Sequence, residues 1–104
     1  MNPSLSARAA LATAAAFFAM LNCALAYTGE SLAKYARISL QRAETIALRA
    51  APGKIRSLEL ERERGGSGLR YTFDIQSRGV TREVGVDAKT GKLLENIREG
   101  PHPD

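Results

Sequence analysis

The chain has 104 residues, with 15 Lys and Arg against 11 Asp and Glu, one histidine and one cysteine, for a formal net charge of +4. That length holds one domain, and a lone cysteine cannot form a disulfide framework within the chain. The basic residues are spread without a run of adjacent Lys or Arg, whereas nucleic-acid binding usually shows a concentrated basic stripe with stacking aromatics.

Residues 1–26 read as a secretory signal peptide. Met1 to Arg8 is a short n-region with one positive charge, Ala9 to Leu21 is an uncharged Ala-rich run, and Ala24-Leu25-Ala26 offers small residues at the cleavage site. The alternative is an uncleaved membrane anchor, since Ala9 to Tyr27 carries no charge over 19 residues and a spanning helix needs about 20. Against the anchor, the run is weakly hydrophobic, Asn22 interrupts it, and no Lys/Arg cluster stops it. Cleavage after Ala26 leaves 78 residues, removes Cys23, and leaves 14 basic against 11 acidic side chains. One small core must then hold the fold, which at this size is a marginal arrangement.

Residues 27–37 read as a linker or loosely packed arm, with a helical turn around Leu32, Tyr35 and Ala36. Ser39 to Ala51 is a helix. Ser39 is its N-cap, Leu40, Ala43, Ile46, Ala47 and Ala50 form one apolar stripe, and Pro52-Gly53 stops it. The alanines imply a helix lying close against a sheet. Lys54 to Glu63 is a strand in which Leu58 and Leu60 alternate with Ser57, Glu59 and Glu61. Arg64 to Gly68 is a flexible hairpin loop. Leu69 to Gln76 is the cleanest strand: Leu69, Tyr71, Phe73 and Ile75 face in, while Arg70, Thr72, Asp74 and Gln76 face out. After the Ser77-Arg78-Gly79 turn, Val80 to Val86 is a third strand. Arg82 shares the face of its valines, so it is expected near the sheet edge with its guanidinium in water. Asp87 to Lys92 is a turn in which the aspartate bonds amides ahead of it and Gly91 takes a positive φ. Leu93, Leu94 and Ile97 make a short fourth strand or a strap over the core. Residues 98–104 form a tail, whose Pro101 and Pro103 cannot continue a ladder.

The fold class is therefore α+β: one helix on an antiparallel meander of three to four strands, in the order α-β-β-β-β. Core candidates are Leu40, Ile46, Ala47, Leu58, Leu60, Tyr71, Phe73, Ile75, Val84, Val86 and Leu93.

From Ile38 to Leu94 these residues resemble the PepSY domain, the module of thermolysin-type peptidase propeptides and of many short exported bacterial proteins. The likeness is carried by Ile38-Ser39-Leu40, by Ala51-Pro52-Gly53-Lys54-Ile55, by Leu58-Glu59-Leu60-Glu61, by Tyr71-Thr72-Phe73-Asp74-Ile75 and by Glu83 through Leu94. The last of these is the most specific, joining strand alternation to a family-like turn. The resemblance implies a module of residues 38–97 that binds or restrains a peptidase or another partner protein. It implies no catalysis and transfers no active-site residues.

The polar residues do not assemble an active site on paper. His102 stands alone in the tail, and a metal site needs several converging ligands. Glu59, Glu61 and Glu63 share a strand face, but Arg70 on the next strand can lie across from them, and such cross-strand pairs are ordinary on a solvated face. A calcium site would want six or more oxygens from a turning loop. Gly65-Gly66-Ser67-Gly68 joins two strands and lacks the following Lys-Ser/Thr of a phosphate loop. No nucleophile, base and orienter fall together, and no cofactor is expected. The expected function is a non-catalytic exported domain that binds or restrains a partner protein of the cell envelope, periplasmic or secreted, with a peptidase as one candidate. The partner-contact face is expected at Glu59, Glu61, Arg70 and Asp74. The alternatives are a periplasmic sensor of a small molecule or ion, with a pocket between helix and sheet, and a regulator tethered to the membrane by residues 9–27.

Overall fold

The Ser39 side chain accepts a hydrogen bond from the Arg42 amide (3.1 Å) and opens helix α1, Leu40–Ala50, as an N-cap should. In the computed structural model, which describes residues 26–100, this helix is followed by β1 (Lys54–Arg62), β2 (Leu69–Ser77), β3 (Val80–Asp87) and β4 (Leu93–Arg98). The strands form one antiparallel sheet in chain order, β1-β2-β3-β4. The expected α-β-β-β-β meander is what the chain adopts, with the fourth element a full strand.

Each hairpin is short, so neighbours in sequence pair in space. The register sets Leu60 opposite Tyr71, Leu58 opposite Phe73, Tyr71 opposite Val86 and Phe73 opposite Val84. These residues share the face on which α1 lies. Ala43 and Ala47 of α1 are fully buried, so the helix turns its smallest side chains toward the aromatic and aliphatic residues of the sheet. The core is completed by Ala51, Leu69, Ile75 and Ala88, with Leu40, Ile46, Leu48, Ile55 and Leu58 partly buried around it. Tyr71 donates from its hydroxyl to the Ile38 carbonyl (3.1 Å), tying the central strand to the entry of α1. Burial, and then the nearby Tyr27, push the Tyr71 hydroxyl above the usual phenol range. Tyr71→Phe keeps the ring and loses this bond. It is expected to cost about 1 kcal/mol, read as a drop of about 4–8 °C in a thermal melt; an unchanged melt would show the bond to be worthless.

Three parts of the molecule differ from the sequence-based expectation. The arm is not loosely packed. A 3-10 helix spans Glu30–Tyr35, the Leu60 amide donates to the Thr28 carbonyl (2.9 Å), and Tyr27, Leu32 and Ala36 pack on the core. Arg62 and Lys34 flank the Tyr35 ring, 4.9 and 5.3 Å from its centre. Leu93, expected in the core, is 40% exposed, and Ile97 is 50% exposed. Along β4 the register sets Glu95 against Gly85 and Ile97 against Glu83 on the outer face, whereas a register shift between Gly85 and Val86 sets Leu93, the first residue of this edge strand, opposite the inward-facing Val86, where it stays exposed. Asn96 stands on the inner face, opposite Val84. Arg82 is also not at an edge, because β4 flanks its strand. Its Nε donates to Asn96 Oδ1 (2.8 Å) and its Nη2 to the Asn96 carbonyl (3.1 Å), while Asn96 Nδ2 donates to the Ala50 carbonyl (3.3 Å) at the end of α1. One asparagine thus satisfies a guanidinium and a helix C-terminal carbonyl together. Residues 1–25 of the expected signal segment, with Cys23, and the tail residues 101–104 with His102 lie outside the described residues.

Candidate functional site

An antiparallel sheet covered on one side by a helix leaves its other side to solvent. Here that outer face carries Glu59, Glu61 and, just past the strand, Glu63 from the β1 side; Arg70, Thr72, Asp74 and Gln76 from β2; Thr81, Glu83 and Gly85 from β3; and Glu95, Ile97 and Glu99 from the β4 side. Seven carboxylates therefore gather on one surface. Arg70 is set among them, and Lys54 stands at the far corner opposite Gln76. Exposed basic residues such as Arg42 and Arg49 lie on α1, so a chain of positive net charge presents an acidic sheet.

The four residues expected to form the contact face are all on this surface, in different roles. Glu59 is exposed opposite Thr72. Glu61 pairs in register with Arg70, yet its carboxylate accepts from the Thr72 hydroxyl (3.1 Å) and not from the arginine. Asp74 accepts from the Ser57 hydroxyl (2.8 Å). Arg70 is only 7% exposed and lies within the face rather than projecting from it. Two glycines pass close beside its side chain. Gly85 has no Cβ, and one built there would sit 3.4 and 3.5 Å from the Arg70 Nη1 and Cδ. The arginine stem therefore crosses β3 and reaches toward β4. Gly65 walls the other side, and Arg70 Nη2 donates to the Arg64 carbonyl (2.9 Å).

Around this guanidinium the pairing is incomplete. Glu63 Oε2 is 3.9 Å from Nε and Glu95 Oε1 is 3.6 Å from Nη1, both too long for hydrogen bonds. Arg70 Nε is buried and has no partner. Glu83, half-buried next to these groups, has its carboxyl pushed above the usual range, by burial first and then by Glu95, Asp74, Glu63 and Glu99.

At one end of the sheet, Asp87 ties two turns together. Its carboxylate accepts from the Ser67 amide (2.6 Å) and hydroxyl (2.7 Å), and from the amides of Lys89 (2.8 Å) and Thr90 (3.1 Å). The contacts to Lys89 and Thr90 are the turn chemistry expected of an aspartate there, and Gly91 has the expected positive φ of 80°. The contact with Ser67 pins the β1–β2 loop, which a Gly-rich sequence suggests is free. Gly66 adopts φ 54°, and a Cβ there would run into Asp87 Oδ2. This cluster braces the end of the acidic face.

On the helix side, an open depression of about 540 Å³ lies between the arm, α1 and β1, lined by Tyr27, Leu40, Ile55 and Leu58 with Glu44 and Arg56. It is beside the helix rather than beneath it, since Ala43 and Ala47 close the interface itself. Among the described residues, no three His, Cys, Asp or Glu are placed to hold a metal ion, and no helix is long and apolar enough to cross a membrane.

A helix seated through its alanines on a four-stranded antiparallel meander defines a small α+β module. The family described as Peptidase propeptide and YPEB domain, or PepSY, matches residues 37–96, more than half of the chain, and the chain belongs to it. No curated protein and no solved structure matches the chain significantly.

Proposed function

We propose that this chain is a non-catalytic PepSY module, exported to the cell envelope, that binds and restrains a partner protein, with a peptidase the foremost candidate. The observation that carries this reading is the outer sheet face. It is ordered and polar, it is braced by the Asp87 cluster, and the core does not use it. Membership of a family named for peptidase propeptides supports a protein partner. The outer edge of β4, unpaired among the described residues, suits strand addition, in which main-chain bonds supply affinity and alternate side chains supply selectivity. The β1 edge is already met by Thr28. Glu59, Glu61 and Asp74 orient the encounter, and Arg70 supports them from within the face.

The test is crosslinking in the intact cell envelope, followed by mass spectrometry. A single specific partner is expected, and purified chain is expected to slow that partner if it is a peptidase. Recovery of abundant bystanders alone would refute the reading. N-terminal sequencing of the exported chain is expected to begin at Tyr27; an earlier start favours the anchored form.

The depression near Tyr27 and Leu40 favours one second reading, recognition of a small apolar molecule. A thermal-shift screen decides it, because a ligand of the native state raises the melting temperature with its concentration.

A further inference from the structure

We propose that the partner segment received by the outer face is basic and extended, a strand of alternating Lys or Arg side chains laid along β3 and β4 with its cations at Glu63, Glu83 and Glu95. This rests on the protein-binding reading above and specifies the chemistry of the partner. Three observations carry it.

The first is the charge surplus. Seven carboxylates face outward around one buried guanidinium, so the field above the sheet is negative despite the positive charge of the whole chain. The second is the geometry at Arg70. Glu63 and Glu95 are held at 3.9 and 3.6 Å, near enough to be positioned by the guanidinium and too far to be used up by it. Arg70 Nε itself, buried within the cluster, is unpartnered. A cation arriving over Glu63 or Glu95 finds a carboxylate already oriented and with free lone pairs. The third is crowding at Glu83. Its carboxyl is half-buried among four other acids and is raised by burial and by their repulsion. An incoming cation removes that repulsion and is drawn to the place where it is greatest.

Ile97 gives the surface an apolar point. It is opposite Glu83 and half-exposed on the strand whose outer edge is unpaired among the described residues, so one aliphatic side chain or arginine stem of the partner can cover it. An alternating cationic and aliphatic strand matches this pattern of Glu83, Glu95 and Ile97, and an acidic strand is repelled by it.

The experiment titrates a short alternating Arg-Val peptide into the isotopically labelled full chain at low ionic strength, with the Glu-Val peptide and calcium as separate probes. Saturable amide shifts are expected on β3 and β4 around Glu83, Glu95 and Ile97, weakening as salt is added. The double variant E83Q/E95Q is expected to weaken binding about fivefold, in keeping with the modest worth of exposed ion pairs. Glu44→Gln, on the helix side, is expected to leave it unchanged. Glu83→Gln alone relieves the crowding at this site, so its melt is expected to match or exceed that of the parent, and it serves as the variant whose fold is not at risk. Absence of saturation, equal binding of the Glu-Val peptide, indifference to Glu83→Gln and to E83Q/E95Q, or the same saturable shifts from calcium alone would each overturn the proposal. Photo-crosslinkers at Ile97 and at Thr45 of α1 separate the two levels. Capture at Thr45 only leaves protein binding intact and sinks the basic-strand proposal. No capture at either site sinks the protein-binding reading. Capture at Ile97 supports the proposal when the linked segment carries Lys or Arg at alternate positions, and a neutral or acidic segment there refutes it.

Discussion

Asp87→Ala is expected to destabilise the domain by about 3 kcal/mol, the worth of several charge-assisted bonds less what water restores. Four donors lose their acceptor at once: the Ser67 amide and hydroxyl and the amides of Lys89 and Thr90. For a domain of this size the melting temperature should fall by about 12–24 °C. Burial alone would push the Asp87 carboxyl up, but the bonds from Ser67, Lys89 and Thr90 outweigh it and hold the group far below the usual carboxylate range. Its native pKa is thus lower than its unfolded one. The stability it contributes is fully present above the ordinary carboxylate pKa, about 4, and drains away as the pH falls toward the native value. Glu83 acts with the opposite sign. Its native pKa is raised, so its contribution is whole below the unfolded pKa and is lost as the pH rises through the native one. Urea unfolding at pH 7 and pH 3 separates them. The gap between the parent chain and Asp87→Ala should shrink in acid, whereas Glu83→Gln should gain on the parent at neutral pH. Parallel curves for parent and Asp87→Ala would show that the carboxylate cluster does not hold the loop.

The elements were legible wherever a local rule acts alone. Ser39 at the cap, Pro52-Gly53 at the stop, and the alternation of Leu69, Tyr71, Phe73 and Ile75 each report a neighbourhood of a few residues, and each element stands where those signals put it. The misplacements came where parity or distance decides. Leu93 reads as core because it is a leucine, yet it begins the edge strand beyond a register shift that no local pattern announces, and it stays exposed although Val86 stands opposite it. Arg82 looked like an edge residue because its face is apolar, and Asn96 on the following strand supplies the acceptors that its head needs. The site was legible only as a face. Glu59, Glu61, Arg70 and Asp74 were assigned to one surface by alternation, and they share it. Arg70 is buried between Gly65 and Gly85, five residues before it and fifteen after it, which come to lie against it only once the strands pair. A glycine in mid-strand was the one available sign of a close approach there. Ser67 and Asp87 are twenty residues apart, and no local pattern links a Gly-rich loop to a later turn.

Phe73→Ala is expected to unfold a large share of the molecules at 25 °C. Phe73 is fully buried on the second of four strands, between Leu58 and Val84 in register and 6.4 Å from the Tyr71 ring. Deleting a buried phenylalanine costs about 3–5 kcal/mol, because the cavity forms in a region that relaxes little. A domain of this length has only about 4–11 kcal/mol in hand. The described fold has no second core to share the loss. Circular dichroism through a urea series should show the midpoint collapse toward zero denaturant, and a midpoint close to the parent value would mean that the helix can settle into the gap. Glu59→Gln, directly across the sheet on the exposed side, should move the midpoint by no more than about 0.5 kcal/mol in equivalent stability. The same strands thus carry two separable surfaces. The inner one is a single packed cluster, in which Ala43 and Ala47 of the helix meet Leu60, Tyr71, Phe73, Ile75, Val84 and Val86 of the sheet. The outer one is free of that burden, so its carboxylates can be exchanged, crowded or paired with an incoming cation while the helix and core keep their geometry.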